Sequence, residues 1–198
     1  PLLRRYDAYE PELAMRLRLR LLWLIIASLW RKRMNVLDEF VLSFTVFPND
    51  IDISKITDDR YLAITDLGRA DLALRVGLAK TLIKRKWVPL ATHATLRFRF
   101  PLRVFQTYQL RTRIIFWDDE TFYLRHLFQR HGRTVATGYV CASFLGPNGR
   151  VCPKDIFAEL EQVVVRPERP DVVLRLQELE ALIHHEQKEL CNDTPATG

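Results

Sequence analysis

Two carboxylates stand just before a predicted helix, in a place where their chemistry can be used. Asp50 and Asp52 are followed by a polar turn in which Thr57, Asp58 and Asp59 are typical of a helix start. A carboxylate can act as a nucleophile or as a general base. The free amides of a first helical turn can donate hydrogen bonds to an oxygen that gains negative charge. Turn and cap chemistry alone would use the same residues, so both interpretations stay open.

A long amphipathic segment follows this turn and positions it. Its apolar side chains recur mostly at three- and four-residue steps, which places on one broad helical face Leu62, Ile64, Leu67, Ala70, Leu74 and Leu78. Gly77 predicts the C-terminal end of the helix. Asp66 and Arg69 lie one turn apart, and this spacing favours an ion pair on the helix surface. We expect the helix to be buried beneath a sheet.

The elements around the helix are predicted to be antiparallel strands. A first strand (38–47) precedes the helix, and a basic connector (80–86) follows it. Apolar alternation and short polar turns then predict four more strands, at 92–100, 108–117, 122–130 and 134–145. Alternation puts on one face of the second of these runs Leu110, Thr112, Ile114 and Phe116. This order predicts an α+β fold in which a sheet covers one helix.

Both ends of the chain carry helical extensions. The apolar stretch within residues 13–30 is shorter than the roughly 20 residues of a membrane span. It is either a helix packed on the domain or on a second subunit, or an interfacial helix with Trp23 and Trp30 among lipid headgroups. An amphipathic segment at 171–188 would dock on the body or pair with another chain. The predicted units are an N-terminal amphipathic helix (1–36), a central domain (37–165), and a C-terminal helix with a disordered tail (166–198).

Composition and charge narrow the class of partner. The 198 residues carry a net charge of +6 with a pI near 9.4, which points to an anionic partner such as a nucleotide phosphate or an acidic lipid. Nucleic acid is not expected, because aromatic and basic residues are not interleaved in an RNA-binding motif. The three cysteines lack the spacing of a metal site or a disulfide framework, so we predict no metal and a reducing compartment. The predicted location is the cytoplasm, with a possible peripheral contact to a membrane.

Several short motifs together resemble one family. The D-x-D pair, a Tyr-Leu step and the D-x-G-R run ending at Arg69 are similar to the 4-hydroxybenzoyl-CoA thioesterase-like branch of the hotdog superfamily. The run LRTRIIFWDDETFYLRHLFQRHG resembles the sheet of its thioesterase-superfamily-member-6-like subgroup. The resemblance covers about residues 38–153. It implies a hotdog fold, in which a curved antiparallel sheet wraps around one long central helix. It also implies homodimers or higher homo-oligomers with sites at the subunit interface.

The resemblance also implies hydrolysis of an acyl thioester carried by coenzyme A or by an acyl-carrier protein. The family's carboxylate falls on Asp52, and the further catalytic candidates are Asp50, Asp59 and Tyr61. The substrate-binding candidates near the helix are Thr57, Asp58 and Arg69, and Arg97 and Arg99 are candidates for the phosphates of coenzyme A. Coenzyme A would be part of the substrate, and no separate cofactor is implied.

The chain departs from the family pattern directly after the D-x-D pair. Relatives commonly have a His at the position of Lys55 or Ile56 and an amide pair where this chain has Thr57, Asp58 and Asp59. A carboxylate facing a developing oxyanion would oppose the reaction electrostatically. The alternative function is therefore a catalytically degenerate protein that binds acyl thioesters or serves as a membrane-associated interaction module.

Overall fold

The computed structural model describes residues 11–28, 30–51, 55–160 and 164–192. Its elements, in chain order, are α1 (Pro11–Ser28), β1 (Phe40–Thr45), α2 (Asp58–Arg75), α3 (Leu78–Arg85), β2 (Val88–Phe98), β3 (Thr107–Trp117), β4 (Phe122–Arg130), β5 (Arg133–Gly146), β6 (Gly149–Val151), α4 (Pro153–Glu159) and α5 (Asp171–Asn192). The predicted disordered tail falls mainly on residues 193–198, which lie outside the described residues.

The strands form one antiparallel sheet in the order β1-β3-β4-β5-β2, and β6 pairs with β5. The sheet curls as a half-barrel around α2, so the prediction of an α+β hotdog fold is confirmed. Strand β2 lies at one edge of the sheet and most of its residues are exposed. The fold therefore leaves a long strand edge open.

Helix α2 is the centre of the apolar core. Ile64 and Leu67 face the sheet and are almost fully buried, which removes their apolar surface from water. Gly68 allows the helix to approach the sheet closely, since a Cβ there would lie 2.3 Å from the Thr112 hydroxyl oxygen. A larger residue at position 68 would push α2 away from β3.

The connector predicted at 80–86 is wrong, because most of it is the short helix α3. Gly77 ends α2 as the sequence predicts, with φ of +89° in the left-handed region that favours glycine. The chain then resumes as a helix because Leu78 is buried and Leu82 packs against the same apolar cluster. Basic residues on the other side of α3 hid this short amphipathic helix in the sequence.

A β-bulge between Ile114 and Phe116 changes which side chains of β3 face inward. Ile114 and Trp117 belong to the inner cluster, whereas Phe116 packs on the outer face of the sheet with Tyr123. The predicted shared face for Ile114 and Phe116 is therefore wrong, since one extra residue reverses the alternation.

The first turns of α5 cover one part of the outer face of the sheet. Val173 and Leu176 pack there against Phe116 and Cys141. Gln177 adds hydrogen bonds to the Asp118 carboxylate at 3.1 Å and to the Tyr123 hydroxyl at 3.1 Å. The C-terminal helix thus docks on the body, which was one of the two predicted placements.

Helix α1 lies against α2 through one face. Leu24 is almost fully buried there, while Leu22 and Trp23 on the opposite face are exposed. Among the described residues, no helix is both long and apolar enough to cross a bilayer.

Candidate active site

The N-terminus of α2 presents backbone donors and two exposed carboxylates. Thr57 occupies the N-cap position with extended backbone angles, and its side chain makes no capping hydrogen bond in the described structure. Asp58 and Asp59 lie in the first helical turn and are exposed. The first-turn amides are therefore not capped by the Thr57 side chain, and negative charge near them suits the helix dipole.

The first carboxylate of the D-x-D pair is buried and held in an ion pair. The Arg20 guanidinium of α1 donates to Asp50 at 2.6 Å, and the Phe47 amide donates to the same carboxylate oxygen at 3.0 Å. Asp50 thereby stabilises the turn that begins at Phe47 and connects α1 to the segment before α2. Asp52 falls in residues 52–54, which lie outside the described residues.

Tyr61 is buried one turn into α2. Its ring packs against Phe98 and Phe128, with centroids 5.0 and 4.9 Å away. Burial raises the pKa of Tyr61 to about 12, although a backbone hydrogen bond from Leu102 partly offsets the effect. The hydroxyl therefore stays protonated at neutral pH.

A large apolar cavity lies beside the second half of α2. Its volume is about 720 Å³, and its walls come from α1, α2, α3, β2 and the inner face of the sheet. Asp66 and Arg69 are the only charged residues among the described ones that line it. They form the predicted ion pair, and Arg69 also lies 3.5 Å from the Thr65 hydroxyl. A cavity of this size and character suits an apolar ligand with one polar end.

The two charged residues of this cavity have shifted pKa values. Burial raises the pKa of the Asp66 carboxyl, and the Arg69 charge opposes that shift. Burial lowers the pKa of the Arg69 guanidinium, and the Asp66 charge opposes it. The Asp66 side chain is 55% exposed at the rim of the cavity, so solvent screens this shift and its position, not its pKa, is what relates it to the cavity.

A buried histidine lies in the sheet opposite the middle of α2. The His126 Nδ1 atom and the Thr112 hydroxyl are 2.9 Å apart. The other ring nitrogen is buried and has no hydrogen-bond partner among the described residues. Burial lowers the pKa of His126 to about 3, and the positive charge of Arg69 acts in the same direction. The ring is therefore neutral at physiological pH.

The candidate residues fall in three places. Thr57, Asp58, Asp59 and Tyr61 gather at the start of α2. Arg69 lies further along the helix, about 12 Å beyond Tyr61 at the usual rise per residue. Arg97 and Arg99 are exposed near the end of β2.

The sequence did not predict the roles of Arg20 and His126, or the close packing of α2 on β3 at Gly68. Strand periodicity could have found His126, because it lies two residues from each of the inward-facing Leu124 and Phe128 and so shares their face of β4. Nothing in the local sequence indicates that Arg20 meets Asp50, which lies 30 residues away. Within the described segments, no group of three or more His, Cys, Asp or Glu side chains could hold a metal ion.

Known proteins resemble this chain in sequence and in fold. "Protein THEM6" of Xenopus laevis is 32% identical over 95 residues, which cover 48% of this chain and 46% of that protein. The chain thus spans about half the length of the first curated relatives that it matches.

Solved structures extend the fold comparison. BH1999 gentisyl-coenzyme A thioesterase superposes with a TM-score of 0.55 at 23% identity, over 61% of this chain and 99% of that chain. The Staphylococcus aureus protein SAV2348, solved in complex with CoA, gives a TM-score of 0.55 at 13% identity, over 69% of this chain and 94% of that one. A family model described as the thioesterase-like superfamily matches residues 46–175. The chain belongs to the thioesterase-like superfamily.

Proposed function

We propose that this protein hydrolyses an acyl thioester of coenzyme A. The observation that carries the proposal is the cavity of about 720 Å³ beside α2, which is apolar except for Asp66 and Arg69. Burying a methylene group is favourable by about 0.8 kcal/mol, so an alkyl or aromatic acyl group would bind there strongly. The carrier is inferred from the coenzyme A thioesterase among the structural neighbours and from the basic charge of the chain.

The reaction needs a carboxylate and donors for an oxyanion. In the proposed step, water attacks the thioester carbonyl carbon while a carboxylate takes its proton, and the α2 amides stabilise the oxyanion. The carbon–sulfur bond then breaks, and the thiolate leaves with a proton as free coenzyme A. The candidate base is Asp52, by family resemblance, and it precedes α2 in the sequence. Asp66 lines the cavity but lies about 12 Å further along α2 than the first turn, so it would act as the base only if groups other than these amides bound the oxyanion.

Thiol release from acyl-CoA esters of increasing chain length tests the proposal. The change Ala73→Phe adds volume to the cavity wall, and we expect kcat/KM for long acyl chains to fall at least tenfold while short chains are little affected. The variant Ala73→Ser is the matched control, because it adds no comparable volume. Asp52→Asn and Asp66→Asn, tested separately, identify the base by which of them abolishes release.

Two results would contradict this function. Wild-type protein that binds acyl-CoA but releases no thiol at any chain length would favour the non-hydrolytic alternative. An equal effect of Ala73→Phe on short and long chains would mean that the cavity does not hold the acyl group.

We also propose that two copies pair through the edge of β2. Eleven residues of this strand have an unpaired outer edge, and the exposed side chains along it include Val88, Leu90 and Phe98. An exposed apolar edge strand is a template for pairing with a second strand. Leu90 also lines the apolar cavity, so such a dimer would bring the partner subunit close to the acyl site.

The outer face of α1 favours peripheral contact with a membrane. Its exposed apolar residues recur at helical spacing, at Leu19, Leu22, Trp23 and Ile26. Lys32 and Arg33 are exposed just after the helix, where they can approach acidic headgroups. We expect Trp23→Gln to weaken flotation with anionic vesicles, whereas Leu182→Gln, at an exposed position of α5, should not. Equal flotation of both variants would mean that α1 packs on the domain and does not bind membranes.

A further inference from the structure

The structure assigns a phosphate-binding site to a basic cavity at the turn between β4 and β5, and we propose that it takes the phosphates of coenzyme A. This inference rests on the proposed function. The cavity has a volume of about 470 Å³ and includes in its lining Gln106, Arg130, His131 and Arg133. Its charged lining residues are all basic.

The geometry of the turn brings two arginines to one place. Strand β4 ends at Arg130 and β5 begins at Arg133, and these residues pair directly across the sheet. The two residues between them, His131 and Gly132, have φ of +49° and +74°, the conformation of a tight hairpin turn. Directly opposed side chains lie on the same face of a sheet, so the two guanidinium groups share one side of the hairpin.

Two like charges in this arrangement destabilise the hairpin unless an anion lies between them. No acidic side chain in the described part of the chain forms an ion pair with Arg130 or Arg133. The Arg130 Nε atom is buried and has no hydrogen-bond partner among the described residues. Guanidinium groups bind phosphate oxygens through two parallel hydrogen bonds, so a phosphate in the cavity would neutralise the charge of both arginines.

The position of this cavity fits a carrier whose thioester lies near α2. Leu102 lines the cavity and accepts a hydrogen bond from the Ile56 amide at 3.0 Å, directly before the start of α2. The apolar cavity begins at Asp66, about 12 Å further along that helix. Phosphates at the hairpin and an acyl group in the apolar cavity would therefore place the thioester beside the first half of α2.

Calorimetric titration of the full chain with coenzyme A, dephospho-coenzyme A and pantetheine tests the site. We expect Arg133→Gln and Arg130→Gln each to weaken coenzyme A binding at least tenfold, with a smaller dependence on salt. Pantetheine, which has no phosphate, should bind equally weakly to wild type and variants. Arg150→Gln is the control, because it removes one positive charge from β6, which pairs with the opposite end of β5, and it should leave coenzyme A binding within twofold of wild type.

Several outcomes would overturn the assignment. Unchanged coenzyme A binding in Arg133→Gln would overturn it. Arg133 is exposed, so its substitution should not disturb folding. An Arg133→Gln variant that loses binding to anionic vesicles but keeps coenzyme A affinity would replace the assignment with a lipid headgroup site. Hydrolysis of acyl-pantetheine tests the reaction on a substrate that has no phosphates. If the wild-type protein hydrolyses acyl-pantetheine and Arg133→Gln binds coenzyme A as tightly as wild type, the phosphate site is refuted and the proposed function stands. Phosphate-dependent binding without hydrolysis would refute the function and support the site.

Discussion

His126 is buried in the sheet, and burial changes its protonation behaviour from that of an exposed histidine. Its ring is fully buried, its Nδ1 atom meets the Thr112 hydroxyl, and its pKa falls to about 3. In an unfolded chain the same side chain has a pKa near 6.5. Protonation therefore favours the unfolded state, because only there can the ring take up a proton at mildly acidic pH.

The sign of this effect predicts how stability depends on pH. Above pH 6.5 the ring is neutral in both states and contributes no pH dependence. Between about pH 6.5 and 3 the unfolded state binds more protons, so the free energy of unfolding falls by up to about 1.4 kcal/mol per pH unit on acidification. We expect His126→Gln to flatten this slope in urea titrations between pH 7 and 4. The exposed His184→Gln should keep the wild-type slope, and equal slopes for the two variants would contradict the role of His126.

At the scale of elements, the end of α2 is held by the segment that follows α1. Asp71 is completely buried and pairs with Arg31 at 3.0 Å and Arg75 at 3.6 Å. The Met34 amide donates to the Arg75 carbonyl at 3.2 Å, which joins the same two parts of the chain. Burial raises the pKa of Asp71, and both arginines oppose that shift. The carboxylate therefore connects a helix to a segment 40 residues earlier.

Removing this charge should loosen both elements. We expect Asp71→Asn to lower the free energy of unfolding by about 2 kcal/mol or more, because two partly buried guanidinium groups lose their counter-charge. Glu178→Gln breaks an exposed ion pair with Arg175 and should lower the free energy of unfolding much less. Chemical denaturation measures both values. Equal costs for the two variants would mean that the Asp71 cluster adds nothing beyond a surface pair.

Most elements could be predicted from sequence because their signals are local. Gly77 indicates the end of α2 because glycine readily adopts the positive φ found there. The side of β4 that faces inward follows from the two-residue spacing of its apolar residues, such as Leu124. The reversal at Phe116 depends on a bulge, which no residue type in β3 announces. The Arg20–Asp50 pair and the cavity at Arg130 and Arg133 depend on how distant parts of the chain fold together. The acidic turn could therefore be predicted from sequence, but the side chains around it could not.

At the scale of the molecule, the exposed edge of β2 decides how copies can associate. We expect wild-type protein to sediment as a dimer and Ala94→Lys, in the middle of that edge, to shift it toward the monomer, since lysine on an edge strand opposes pairing. Leu182→Lys changes an exposed residue on α5 and should leave the dimer intact. Dissociation by Leu182→Lys alone would move the interface to the C-terminal helix.

The placement of α5 limits what larger particles this chain can build. On the side of the sheet that faces away from α2, Val173 and Leu176 of the first turns of α5 cover the apolar patch around Phe116 and Cys141. A second sheet laid flat against that side would have to displace them and expose their apolar surface to water. Face-to-face packing of two sheets over this patch would therefore require displacement of the C-terminal helix, whereas pairing through the edge of β2 would not.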